Sequence, residues 1–264
     1  MLNIIFAKSI NMLFVISPAK SLNFDPHPYK LYSNPELLAE SSKLVKILKK
    51  KKVHELMKMM DISEKLAIEN VIRFKNFSLP FTPENSKQAV LAFDGDVYDG
   101  LNAVDFSQED FEFAQNHMRI LSGLYGVLKP LDLMQPYRLE MGRALENPKG
   151  NNLYKFWGDK ISKILNEASR QTGSKLIVNL ASNEYWSSVD LKKLKVPCLE
   201  IQFRENKDGI FKVISFNAKK ARGMMVRFAI KNRLQEPEEL KAFNLDNYVF
   251  NSELSDEKVW VFTR

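Results

Sequence analysis

Lys175-Leu-Ile-Val-Asn-Leu180 is short, β-branched and apolar, and it reads as a central strand. Just upstream, residues 153–171 carry a helical pattern that stops at Gly173, a natural residue for a left-handed C-terminal cap. Downstream, residues 198–204 and 210–216 flank Asn206-Lys207-Asp208-Gly209, the pattern of a hairpin. A helix is expected over 219–234, and closing strands over 248–250 and 259–262. Toward the N-terminus, Met12-Leu-Phe-Val-Ile16 ahead of Ser17-Pro18 reads as a buried first strand ending in a sharp turn. Between these, Asn34-Pro35-Glu36 opens a helix whose stripe is Leu37, Leu38, Leu44, Val45 and Leu48. Asp61 with Glu64 makes a capping-box-like start for a second helix running through Phe74. Ser107 with Asp110 opens a third, with Phe111, Ala114, Met118 and Leu121 at helical spacing, and this helix runs into Ser122-Gly123-Leu124-Tyr125-Gly126. There is no internal repeat and no long linker. The expected class is α/β (mixed α+β): one compact unit with a mixed sheet, a helical lobe over residues 34–171 and a helix-hairpin-helix-like element at 121–130.

The 264 residues are 45% hydrophobic and carry 39 Lys and Arg against 32 Asp and Glu, a net charge of +7. That composition argues against disorder. The single cysteine, Cys198, rules out a disulfide framework and a multi-cysteine metal site within the chain. No apolar run approaches the ~20 residues of a membrane span. Residues 1–11 lack the basic leader of a signal peptide and read as an extension ahead of Met12, which leaves 12–264 as the domain and the cytoplasm as its location. The charge is segregated. Residues 94–112 hold seven acids and no base, whereas residues 204–233 hold nine bases against two acids. Lys220, Arg227 and Lys231 fall on one line of the 219–234 helix, which suits either phosphate contact or a solvated face.

Asp94-Gly-Asp-Val-Tyr-Asp-Gly100 fails the spacing of an EF-hand loop and reads as an acidic turn. His27, His54 and His117 are isolated, and no phosphate-loop or dinucleotide motif is present, so neither metal nor cofactor is expected. In Leu121-Ser-Gly-Leu-Tyr-Gly-Val-Leu-Lys-Pro130 two glycines bracket apolar residues. That pattern fits a hairpin presenting backbone N–H groups to phosphate, or a tight corner that needs glycine for backbone reasons. Ser17, Lys20, Arg138, Glu140 and Ser182 follow strand or helix ends, where α/β sheets gather ligands. Lys20, Arg138 and Lys219 would clamp an anion, with Glu140 or Glu184 as base.

Ile16-Ser-Pro-Ala-Lys20, Leu121 through Gly142 (LSGLYGVLKPLDLMQPYRLEMG), Phe156-Trp-Gly-Asp159, Asn179-Leu-Ala-Ser182 and Phe216-Asn-Ala-Lys-Lys-Ala-Arg-Gly223 resemble the YaaA peroxide-stress protein family. The resemblance extends from Met12 nearly to the C-terminus. It implies a cytoplasmic bacterial protein that protects against hydrogen peroxide by limiting free intracellular iron, with a helix-hairpin-helix-like element and a basic cleft that binds DNA. Carried over by motif, the DNA-contacting residues are Gly123, Leu124, Gly126 and Lys129 of the hairpin and Lys219, Lys220 and Arg222 of the basic helix; Arg227 and Lys231 extend that helix's basic line. Gly123 and Gly126 have one residue more between them than the usual Gly-x-Gly hairpin.

Two functions are therefore expected to compete. The first is a monomeric DNA-binding stress protein that reads phosphate and shape rather than bases. The second is an enzyme for a small anionic or nucleotide-like substrate at the sheet edge, using Ser17, Lys20, Arg138, Glu140 and Ser182. An open positive groove favours the first, and convergence of Lys20, Arg138 and Lys219 in a pocket with a carboxylate favours the second.

Overall fold

A computed structural model describes residues 11–264. The expectation for residues 1–10 lies outside them. Asn11 is already in the fold, its carbonyl accepting from the amides of Lys175 and Leu176.

From the N-terminus, β1 (Met12–Ile16) and β2 (Ser21–Leu22) precede three helices, α1 (Leu38–Leu48), α2 (Val53–Met60) and α3 (Glu64–Asn76). Short pieces follow: β3 (Lys87–Gln88), α4 (Ala89–Ala92), β4 (Phe93–Asp94) and α5 (Asp96–Leu101). Next come α6 (Gln108–His117), β5 (Met118–Ser122), β6 (Gly126–Leu128) and β7 (Leu133–Met134). The second half holds α7 (Leu153–Trp157), α8 (Lys160–Thr172), β8 (Leu176–Leu180), α9 (Asn183–Trp186), β9 (Cys198–Lys207) and β10 (Ile210–Lys212). It closes with α10 (Ser215–Lys231), β11 (Val249–Asn251) and β12 (Val259–Thr263).

The main sheet runs β11-β12-β9-β8-β1-β5-β6, with β10 paired to β9. Its five middle strands, from β12 to β5, are mutually parallel, and the edges β11 and β6 are antiparallel. All five β1 side chains are fully buried, because helices α6, α8 and α10 pack against the strand. Such strands read as unbroken apolar runs. The class is thus α/β with a mixed sheet in one compact unit, as the sequence indicates.

Several elements differ from expectation. Met118–Ser122 is a strand, and the glycine segment after it is a β-hairpin turn with Ser122 opposite Gly126. The helix-hairpin-helix reading of 121–130 is therefore corrected. A fully buried run of five residues has no polar face to reveal its period, so helical spacing at Met118 and Leu121 was indistinguishable from a central strand. Closely spaced helices occur elsewhere, among them α2–α3, joined by residues 61–63. There Asp61 closes α2 in the left-handed region (φ 54°), while Ser63 caps α3 by accepting from the Leu66 amide. The helix expected over 153–171 breaks at Gly158 (φ 53°). Helix α1 starts only at Leu38 with no side-chain cap, and α10 starts at Ser215, four residues earlier than expected, ending at Lys231. Because β5, β6 and β7 interrupt it, the helical lobe over 34–171 reduces to α1–α3.

Two glycines set the most demanding contact. A Cβ on Gly223 of α10 would lie 1.8 Å from the Val97 carbonyl oxygen, and one on Gly100 of α5 would lie 2.1 Å from that of Lys220. The two backbones touch, and neither neighbour is a side chain that can rotate away. We therefore expect Gly223→Ala to part the helices and cost at least about 3 kcal/mol, seen as a lower urea midpoint at unchanged slope. Gly209→Ala, whose Cβ meets nothing within 4 Å, should lose much less, by the strain of its positive φ alone.

Candidate functional site: a cleft at the strand ends

The carboxyl ends of β1 and β8 are tied together by side chains. Ser17 Oγ accepts from the Ser182 amide at 2.9 Å, and Tyr98 Oη donates to the Ser17 carbonyl at 3.1 Å. The segment after β7 runs across these ends. Its Glu140 is buried, with the side chain 5% exposed, and three cations approach a single oxygen of it. Arg138 Nη2 lies 3.1 Å from Oε1, Lys20 Nζ 3.6 Å and Arg143 Nη2 3.7 Å. Nearby, the Gly142 amide donates to Glu184 Oε1 at 2.9 Å. From the opposite wall α10 contributes Arg222, whose guanidinium burial pulls below its ordinary pKa while Glu200 of β9 acts the other way.

These groups border a cleft of about 800 Å³, within the range usual for small-ligand sites. Ser17, Lys20, Glu140, Ser182, Lys219 and Arg222 all line it, and Arg138 reaches it through Glu140. Glu140 Oε2, Arg138 Nε and Arg222 Nε are buried with no hydrogen-bond partner. Buried polar atoms are nearly always satisfied, so these three have hydrogen-bonding capacity left for water or a ligand, as do six such atoms elsewhere among the described residues.

The remaining predicted residues are elsewhere. Gly123, Leu124 and Gly126 are buried, and the Gly123 carbonyl accepts from Trp157 Nε1 at 3.1 Å, so the turn offers no phosphate-facing amides. Lys129 pairs with Glu36 at 2.8 Å. Two members of the basic line of α10, Arg227 and Lys231, face the acidic block instead of solvent. Arg227 grips Asp105 with both amino groups, at 2.8 and 2.7 Å, and also donates to the Asn102 carbonyl. Lys231 and Arg233 bracket Asp110 at 2.6 and 2.8 Å. Of the bases on this helix, Lys220 is exposed and Lys219 is half-exposed, 3.7 Å from Asp96. The reading of a free cationic line through Arg227 and Lys231 is thus corrected, since spacing on a helix cannot tell a solvated cation from a paired one.

Arg143 and Glu200 were missed. Arg143 follows Glu140 by one helical-length step, and the alternation of β9 puts Glu200 and Gln202 on one face, so the strand's period carried the signal. Cys198 is half-buried, and burial, helped by Glu200, pushes its thiol up to about 12. It is a protonated thiol at neutral pH and a poor target for peroxide. Among the described residues no group of three or more His, Cys, Asp or Glu is placed to hold a metal ion, and no helix is long and apolar enough to cross a membrane.

Fold and site define a mixed α/β protein with a charge-lined cleft at the carboxyl ends of parallel strands. The family model described as Peroxide stress protein YaaA matches residues 12–254, and the chain belongs to that peroxide-stress family. It is similar to a UPF0246 protein of Hahella chejuensis, 52% identical over 96% of this chain and 99% of the relative. A UPF0246 protein of Neisseria gonorrhoeae is 49% identical over 96% and 98%.

Two outcomes follow. Burial raises the Asp110 pKa, but hydrogen bonds from Lys231, the Ser107 amide and Arg233 outweigh it and bring the carboxyl down to about 2. A depressed carboxylate stabilises the fold above its unfolded pKa and loses that contribution as pH falls through the folded value. Between about pH 5 and pH 2 the parent should therefore lose about 2 kcal/mol more than Asp110→Asn, measured by urea unfolding at each pH. Cys198 should show no sulfenic-acid labelling at peroxide levels that oxidise a reactive thiolate; ready labelling would contradict the raised pKa.

Proposed function

We propose that this peroxide-stress protein binds DNA at the mouth of the cleft, as a cytoplasmic monomer, through the first turn of α10. The observation that carries this reading is one exposed face: Phe216, Lys219 and Lys220 stand at i, i+3 and i+4, with Phe216 61% exposed. Val213 and Lys212, both exposed, adjoin it on the chain. An exposed aromatic ring among lysines is the chemistry of nucleic-acid contact, with the cations on phosphates and the ring on bases. The α2–α3 hairpin, with exposed Lys58 and Lys65, supplies a second contact of phosphate type. The limitation of free iron that the family resemblance implies then runs through DNA.

A second reading, an enzyme for a small anionic or nucleotide-like substrate, is supported by the buried carboxylate and the unpartnered polar atoms around the same cleft.

Lys219→Glu with Lys220→Glu should weaken binding of a labelled duplex and reduce the slope of log affinity against log salt by about 2, measured by fluorescence anisotropy. Arg227→Glu should lower the melting temperature and leave that slope unchanged, because its guanidinium is engaged by Asp105. Unchanged affinity and slope in the Lys219/Lys220 variant would overturn the α10 assignment.

A further inference from the structure

One end of the cleft has an unbalanced set of charges and hydrogen bonds. Lys20, Arg138 and Arg143 all direct themselves at Oε1 of Glu140, a local excess of cations at one end of a cleft that Asp94, Asp96, Glu184 and Glu200 also line. Oε2 of the same carboxylate is buried without a donor, although an ionised oxygen readily accepts two hydrogen bonds. Leaving such an oxygen unpaired away from water is expensive. Arg138 Nε and Arg222 Nε are donors that lack an acceptor. An occupant complementary to this end of the cleft brings anionic oxygens to the cations and a hydrogen-bond donor to Glu140.

The rest of the lining narrows the class. Pro18, Val97, Phe203, Val213 and Ala218 add apolar surface to the lining. A plain inorganic anion has no use for that surface, whereas a flat heterocycle carrying an anionic group uses it together with the cations. The volume of about 800 Å³ accommodates a molecule of that size with room for water. Lys20 is the adjustable member: its side chain is 61% exposed, so its ammonium can leave Glu140 for an arriving anion without disturbing the core.

We propose that the cleft is a binding site for one nucleotide unit, with its phosphate drawn to Lys20, Arg138 and Arg222, its base on the apolar surface and a base or sugar donor directed to Glu140. This inference rests on the reading of the cleft as a small-anion site. The unit comes either from a free 5′-mononucleotide or from a nucleotide extruded from a DNA strand held at the mouth, since both present the same phosphate and heterocycle.

The test titrates the full chain with the four deoxynucleoside 5′-monophosphates, with inorganic pyrophosphate, and with a duplex carrying one unpaired 2-aminopurine. Parent protein is compared with Lys20→Ala, an exposed change that spares the fold, and with Glu140→Gln, its fold checked by circular dichroism. One-to-one binding of a mononucleotide, weakened about tenfold or more by Lys20→Ala, establishes the free-nucleotide source. A change in 2-aminopurine fluorescence that Lys20→Ala abolishes, without mononucleotide binding, establishes the extruded source. Pyrophosphate binding that is sensitive to Lys20→Ala, with neither nucleotide signal, overturns the nucleotide inference and keeps the small-anion reading. Absence of all three signals overturns both, and duplex affinity that survives Lys20→Ala leaves the α10 contact standing.

Discussion

The contact between α5 and α10 governs much of what the molecule can do. At Gly100 and Gly223 the two backbones meet with no room for a Cβ, so the face that α10 turns toward α5 is fixed. Successive residues on a helix turn by about 100°, and fixing Gly223 therefore fixes the direction of every other side chain on it. Arg227 is delivered onto Asp105, Lys231 reaches Asp110, and Arg222 turns toward the cleft. The first turn, with Phe216 and Lys220, remains exposed. One steric constraint thus divides a single basic helix into a structural part and a part that faces solvent.

The charge distribution changes its meaning in consequence. A basic block and an acidic block, far apart in sequence, form one paired interface inside the protein. The exposed pairs there add little individually, but Asp110 is 6% exposed and bound by two cations and a backbone amide, so its carboxylate is deeply committed to the fold. Lys20, Lys219 and Arg222 line the cleft together with Asp94, Asp96, Glu140, Glu184 and Glu200. The cleft is mixed in sign, with apolar surface in its lining, and the exposed lysines stand at its rim. A small anionic ligand in the cleft and a nucleic acid across the rim are compatible occupants of one surface.

Legibility in the sequence followed a simple physical rule. Elements with one wet face announced themselves: the capping box of Ser107 and Asp110, the Asp208-Gly209 hairpin, and the alternating β9. Elements with no wet face do not, and Met118–Ser122 continues the helical spacing of the preceding segment because every residue in it is buried. For the site, Ser17, Lys20, Arg138, Glu140 and Ser182 were legible together because each follows the end of an element, where a sheet collects ligands. Arg143 and Glu200 carry weaker signals, the one a spacing of three from Glu140 and the other the period of β9. The pattern at Gly123 and Gly126 fits either phosphate-facing amides or a tight corner, and the two glycines serve close packing against the Leu139 backbone and Trp157 respectively.

The sequence by itself determined the α/β class, the family, most strands, and the set of polar residues that meets at the cleft. These follow from local periodicity, turn chemistry and motif, which are properties of neighbouring residues. Only the tertiary structure decided which cations are free. Whether Arg227 or Lys220 can meet a phosphate depends on where Asp105 and Asp110 lie, and those acids are more than a hundred residues away in the chain. A charge's availability is a property of its surroundings in space, and a helical line of lysines and arginines looks the same in sequence whether water or a carboxylate stands opposite it.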